Sequence, residues 1–251
     1  MKNIFLVLLI LFTHTEVFAD ANPTFIFGVN SDYAMPLVKI NRITAVPTLE
    51  DGILKQLGEA LAEELGVTEK WFLVPKQRVA PSLVQGKIDI LCHLNEVWQK
   101  AIVKDVWWTD EIYRSSNGIV YFRENPVTSI EDLKGESIGS VLNFVYPALD
   151  PYFTQGTLKR EDGPNNQANI QKLLKKRLKY VVMSNIEFAY YSNPYPRLRF
   201  FELQGSSLMT KCAISKKSKL KLSDVNKAIA TIIRNGKLSE ILRSFYIKDA
   251  M

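Results

Sequence analysis

Between Asp51 and Phe122 the chain switches repeatedly between helical and extended patterns, with almost no spare residues between them. DGILKQLGEALAEELG sets Leu54, Leu57, Leu61 and Leu65 on one helical face and stops at Gly66. WFLVP follows, with a short strand over Trp71–Val74. Val79 to Val84 reads as a short helix ending at Gly86, with Pro81 in its first turn, where a missing N–H is tolerated. Ile88 to Cys92 is then apolar except for Asp89, the signature of a parallel strand covered on both faces. Strands alternating with helices imply an α/β architecture.

The rest of the chain keeps this grammar. Thr24–Val29 predicts a first strand, followed by a loop through Pro36. Gly118–Phe122 is extended. Ser129, with an acid three residues on, starts a short helix that Gly135 separates from a strand over Ser137–Val141. Ile170–Leu178 predicts a helix, Tyr180–Met183 a strand, and Ile186–Tyr191 a helix before Pro194 and Pro196. Met209–Ser215 is extended. Ser223 caps a helix carrying Val225, Ile229, Ile232 and Ile233, stopped by Gly236, and Leu238–Phe245 is the final helix. Residues 83–91 and 174–182 share a helix, basic turn and strand, as two similar α/β lobes would.

The N-terminus reads as an export signal. Lys2 precedes an apolar run from Ile4 to Phe12, far short of the roughly 20 residues that span a bilayer, so an uncleaved anchor is disfavoured. Val17-Phe18-Ala19 places cleavage after Ala19, with Ala21 as second choice. The formal net charge is +6, and its densest cluster, Lys172, Lys175, Lys176, Arg177 and Lys179, reads as a solvated helix face. An exported chain without a binding motif does not fit a nucleic-acid partner. His93 is the only histidine after the signal, which excludes the usual zinc patterns. Cys92 and Cys212 both sit in strand-like runs of a chain bound for an oxidising compartment, where either a bridge or two buried thiols is compatible with their setting.

Five segments in register resemble solute-binding protein family 3, the amino-acid-type receptors of ABC importers. They are DGILKQLGEALAEELG (51–66), PSLVQGKIDIL (81–91), WWTDEIYRSSNGIVYF (107–122), SIEDLKGESIG (129–139) and VNKAIATIIRNGKLSEILRSFY (225–246). The resemblance implies the type II periplasmic binding protein fold, an α/β protein of two lobes with mixed, mainly parallel sheets and a two-crossing hinge. Residues 1–19 would be the signal peptide, 20–113 and 206–251 lobe one, and 114–205 lobe two. The strands of Cys92 and Cys212 would be neighbours, which allows a bridge and two buried thiols equally. Ligand would sit in the cleft, and closure around it is the switching mode of such receptors.

The resemblance also marks departures. Family members use an Arg after the third strand of lobe one for the ligand carboxylate, usually as a bidentate fork. Here that stretch runs His93-Leu94-Asn95-Glu96-Val97-Trp98-Gln99-Lys100-Ala101-Ile102, with no Arg. Ser184-Asn185 stands where lobe two normally has an Asp for the ammonium group, and Leu142-Asn143-Phe144 replaces a Gly-Ser/Thr turn. The cleft is therefore expected to be aromatic and amide-rich, with scattered charge, for a polar, largely uncharged or zwitterion-poor solute or an aromatic one. Its expected ligand-binding residues are Asp32, Tyr33, Gln77, Arg78, His93, Asn95, Glu96, Trp107, Asn143, Phe144, Tyr146, Ser184 and Asn185.

The expected function is that of a monomeric periplasmic receptor without cofactor or metal, presenting a small molecule to an ABC permease or a membrane sensor. The alternative is an enzyme on the same fold, such as the cyclohexadienyl dehydratases. Glu96, Glu187 and His93 are then the acid–base candidates. A lytic transglycosylase fusion, known among relatives, is not expected because no catalytic domain follows in this sequence.

Overall fold

A computed structural model describes residues 23–247, so the signal peptide over 1–19 and cleavage after Ala19 or Ala21 lie outside the described residues. In chain order the elements begin with β1 (Thr24–Asn30), β2 (Lys39–Asn41), β3 (Thr48–Asp51), α1 (Ile53–Leu65), β4 (Thr68–Val74), α2 (Lys76–Gln85), β5 (Ile90–Leu94), β6 (Val106–Trp108) and β7 (Arg114–Ser115). There follow β8 (Asn117–Phe122), β9 (Ser137–Val141), α3 (Asp150–Thr154), β10 (Lys159–Gly163), α4 (Asn166–Leu174), β11 (Tyr180–Ser184), α5 (Asn185–Ser192) and β12 (Leu198–Glu202). The chain ends with β13 (Leu208–Met209), β14 (Lys211–Ser215), α6 (Leu222–Arg234) and α7 (Lys237–Ser244).

Two five-stranded sheets form two lobes, ordered β4-β1-β5-β14-β6 and β10-β9-β11-β8-β12. In the first, β1 runs parallel to β4 and β5 while β14 is antiparallel to β5 and β6. In the second, β9 is parallel to β10 and β11 while β8 is antiparallel to β11 and β12. The two connections between the sheets pair with each other, β7 against β13.

Burial on both sheet faces accounts for the apolar strands. Tyr180 and Val182 of β11 enter one cluster, with Ile119 and Ile138, whereas Val181 and Met183 enter another, with Ile170 and Leu173. Adjacent strand residues point to opposite faces, so a strand covered on both sides has no polar alternation. In the first lobe Leu54, Leu57 and Leu61 of α1 pack with Val225, Ile229 and Ile232 of α6. Gly58 sits mid-helix because the Trp71 ring occupies its flank: a Cβ there would lie 2.3 Å from Cη2.

Several boundaries differ from the sequence expectation. Helix α2 begins at Lys76, not Val79, because Arg78 N bonds Pro75 O at 2.8 Å, so Pro81 falls past the first turn. Strand β5 spans Ile90–Leu94 rather than 88–92, and Asp89 ties it to β1 by accepting from Ile26 N at 2.7 Å. Helix α4 starts at Asn166, capped by the Asn165 side chain on Ala168 N, and ends before Lys176, whose φ is 57°. Lys175, Lys176 and Arg177 therefore occupy the following turn instead of a helix face. Lys221, not Ser223, precedes α6, and the Met209–Ser215 run divides at Thr210 into β13 and β14. The edge strands β10 and β12 carry exposed or half-buried polar residues, which hid them from an apolar pattern.

Two links fasten the base of the cleft. A disulfide joins Cys92 of β5 to Cys212 of β14 across a separation of 120 residues. Beside it, His93 Nδ1 lies 2.8 Å from Tyr113 Oη, and the imidazole stacks on that phenol ring. His93 is 4% exposed, and burial, with Lys76 nearby, lowers its pKa to about 3.

Closing so long a loop constrains the unfolded chain, so Cys92→Ser with Cys212→Ser is expected to cost about 2–5 kcal/mol. Urea unfolding measures it, and an unchanged midpoint would refute the role. For His93 the sign follows from its depressed pKa. The unfolded chain takes up a proton near pH 6.5 that the folded one refuses until about 3, so this contribution is complete above 6.5 and lost as pH falls towards 3. Urea midpoints between pH 7 and 4.5 should fall more steeply in the wild type than in His93→Asn; parallel profiles would contradict it.

Candidate functional site

A cavity of about 60 Å³ lies between the two sheets. The first lobe supplies the loop after β1, the start of α2 and the end of β5. Tyr33 enters from that loop and its Oη donates to His93 O at 3.4 Å. Lys76 is the first residue of α2, and its backbone N–H donates to Asp32 Oδ2 at 3.0 Å. His93, with φ 59°, sits where the β5–β14 register shifts, one residue before Leu94 pairs with Lys211, and lines the cavity, with the Trp98 ring 5.8 Å from its own.

The second lobe supplies the turn after β9 and two helix starts. Asn143, at φ 65°, bends the chain so that Phe144 meets the Tyr33 ring edge-on at 5.6 Å. Tyr146 is fixed by its Oη accepting from Val141 N at 3.0 Å. At α5, Ser184 and Glu187 form a reciprocal capping box: Ser184 Oγ accepts from Glu187 N, and Glu187 Oε2 accepts from Ser184 N at 3.2 Å and from Ser184 Oγ at 2.8 Å. Asn166, opening α4, donates to the same Oε2 at 2.9 Å. Ser115 and Asn117 form the floor, where the chain crosses between lobes.

Water exclusion sets the charge state of this wall. Burial raises the pKa of Glu187, with the bonds from Asn166 and Ser184 pulling the other way. Burial lowers that of Lys76 against the pull of Asp32. The Tyr33 and Tyr146 phenols are raised by burial and stay protonated. Among the described residues no group of three His, Cys, Asp or Glu side chains could hold a metal ion.

Of the residues expected from sequence, Tyr33, His93, Phe144, Tyr146 and Ser184 line the cavity. The other eight do not. Asp32 caps α2 instead, and Gln77 and Arg78 lie on its exposed face, because the helix starts at Lys76 and turns that residue inward. Asn95 spans Met209 O and Val97 N, and Glu96 pairs with Lys211 at 2.9 Å. Trp107 is 48% exposed on the edge strand β6, under Lys216. Asn143 is exposed at the turn, and Asn185 accepts from Ser116 N at the crossing. Lys76 and Glu187 line the cavity as well, and bring groups of opposite charge to its two lobes. Glu187 was legible as the fourth residue of Ser-Asn-Ile-Glu, a helix-start signature, and Lys76 as the residue after Pro75.

The fold recurs widely among solved structures. An ancestral arginine-binding protein bound to arginine superposes with a TM-score of 0.72 at 23% identity, covering 89% of this chain and 98% of that one. A Salmonella typhimurium periplasmic binding protein described for high arginine specificity gives 0.71 at 16%, covering 89% and 99%. An ancestral amino-acid-binding protein, described as a precursor of cyclohexadienyl dehydratase, gives 0.69 at 20%, covering 89% and 95%. No curated protein matches the chain. The family model for bacterial extracellular solute-binding proteins, family 3, matches residues 49–248. With two lobes, a paired double crossing and a cavity walled from both sides, the chain belongs to family 3 of the bacterial extracellular solute-binding proteins.

Proposed function

We propose that this protein is a periplasmic receptor that closes its two lobes over a small solute and presents it to an ABC permease or a membrane sensor. The observation that carries this reading is that one cavity takes its wall from both sheets: Tyr33, Lys76 and His93 from one, Phe144, Tyr146 and Glu187 from the other. A ligand held there gains contacts only when the lobes meet, which is the differential affinity that drives closure. The rings supply apolar faces, while Asn117, Asn166 and Ser184 supply polar groups that fix orientation.

Size narrows the cargo. The cavity, at about 60 Å³, is small. A solute as long as arginine, present in the ancestral relative, would need the lobes further apart.

A second reading rests on Glu187, a buried carboxyl with a raised pKa beside the cavity, as a general acid needs. Glu96, the other acid considered from sequence, is engaged with Lys211. Turnover of a prephenate-like substrate, lost in Glu187→Gln, would establish the enzyme; absence of turnover with intact binding rejects it.

The receptor reading is tested by thermal shift of residues 20–251 against amino acids, amines, short peptides, sugars and aromatic acids. A ligand at 100 times its Kd adds about 2.7 kcal/mol to stability, expected as a rise of about 5–10 °C for a chain of this size. Phe144→Ala should weaken any hit by about tenfold or more, since it removes a ring that bridges the lobes. A hit that Phe144→Ala leaves unchanged would place the ligand elsewhere.

A further inference from the structure

Among the described residues the cavity wall carries one amine, that of Lys76. The start of α2 sets its place: the backbone N–H donates to Asp32 Oδ2 at 3.0 Å, which commits that carboxylate to the helix start. The side chain forms no ion pair within 4.0 Å among the described residues. Nζ stands instead over the Phe144 ring, 5.8 Å from its centroid, so the chain reaches from the first lobe to a ring of the second. Tyr33, Trp98 and Tyr146 share this wall. An ammonium withdrawn from water without a carboxylate partner is costly, and it relieves that cost by losing its proton. Burial accordingly lowers the pKa of Lys76, with Asp32 opposing. A desolvated lysine amine in a pocket of rings is a nucleophile towards carbonyl groups.

We propose that Lys76 captures the cargo covalently, and that the cargo is a small aldehyde or keto compound held as an imine on Nζ between the two lobes. The inference rests on the receptor reading and deepens it. The Nζ lone pair attacks the carbonyl carbon, a C–N bond forms, and the carbonyl π pair moves to oxygen. The carbinolamine then loses that oxygen as water, both hydrogens coming from the amine, and the C=N bond closes. Nothing is oxidised or reduced. Glu187 faces the same cavity from the second lobe, and burial holds its carboxyl towards the protonated form. It is the group placed to relay a proton from nitrogen to the departing oxygen. Hydrolysis needs water at the same carbon, and the rings of Tyr33, Phe144 and Tyr146 exclude it while the lobes are together. Opening the lobes readmits water and releases the cargo unchanged.

Reductive trapping tests this. The mature protein is exposed briefly at neutral pH to glycolaldehyde or glyoxylate with cyanoborohydride, and the alkylated lysines are mapped by peptide mass spectrometry. Ethylene glycol and glycolate, which lack the carbonyl, are the controls. Lys76 is expected to label about tenfold or more ahead of exposed lysines such as Lys39, Lys179 and Lys237. That preference should vanish in urea, where the cavity is gone. Lys76→Arg, whose urea midpoint checks that it folds, should lose the fast site and no other. Fast labelling by glyoxylate alone identifies a carbonyl acid, and by glycolaldehyde alone a neutral aldehyde; either supports capture. Labelling of Lys76 no faster than the exposed lysines, a preference that persists in urea, or an undiminished fast phase in folded Lys76→Arg overturns it. If Lys76 is not preferred while a solute without a carbonyl shifts the melting midpoint, capture fails and the receptor reading stands. If Lys76 labels first but no solute, glycolaldehyde and glyoxylate included, shifts the midpoint, the receptor reading fails, and with it the claim that the carbonyl compound is cargo.

Discussion

The geometry of the cleft depends on the pairing of the two crossings, Arg114–Ser115 against Leu208–Met209. The first sheet takes strands from before the first crossing and after the second, while the second sheet lies wholly between the two, so neither lobe can leave without stretching this ladder. It also fixes which loops can face each other. Ser115 and Asn117 emerge from the ladder as the cavity floor, and Asn185 returns to bond Ser116. Thr210, just beyond the second crossing, bonds Tyr113 O through both N and Oγ1. The loops at the strand ends of both sheets are thereby brought over one point, the place where α/β sheets hold ligands.

From that frame the charge distribution follows by helix geometry. Lys76 and Glu187 both belong to first turns, on α2 and α5, and both helices point their starts at the cleft. A carboxylate is at home near a helix N-terminus, where the unpaired N–H groups carry partial positive charge, and Glu187 is held there by the capping box. An ammonium at the same place is not favoured by that dipole, and burial lowers the pKa of Lys76 further. The two ends of the cleft are thus electrostatically unequal: in the second lobe the helix start and capping box work against the burial that raises the pKa of Glu187, while in the first lobe the helix start gives Lys76 no such support.

How much of this the sequence discloses depends on which interactions are local. The strand and helix alternation of 51–94 follows from hydrophobic period, and Gly66 and Gly86 mark real stops, both at positive φ. The start of α2 was misplaced because Val79 and Leu83 are its only large buried residues, so its first turn has no apolar signature. That one slip of three residues brings Lys76 into the cavity and leaves Gln77 and Arg78 in solvent. Trp107, expected against the ligand, lies instead on the edge strand β6, whose outer face is open to solvent, and edge position is not legible in a run of three residues. Tyr33, His93 and Phe144 reach the cavity because each closely follows a strand that the sequence predicts. Their mutual ring contacts are a tertiary fact that no spacing could reveal.

The energetics of closing over so small a cargo place a demand on the protein itself. Moving a two-state equilibrium from 1:99 to 99:1 takes about 5.5 kcal/mol of differential binding. Even the best tiny ligands yield no more than about 1.5 kcal/mol per non-hydrogen atom, so a cargo of only a few atoms offers little beyond that difference before polar desolvation is subtracted. A cargo of that size can drive closure only if the lobes are already drawn together. The contacts needed are present without it: Tyr33 against Phe144, Tyr190 against Tyr246 at 6.5 Å, and Ile186 of the second lobe inside the first lobe's core cluster. These offset part of the cost of ordering the hinge and leave the cargo a smaller difference to supply. Larger solutes, with more atoms to contribute, would not require such direct lobe contact, so the aromatic bridge and the small cavity are two expressions of one constraint.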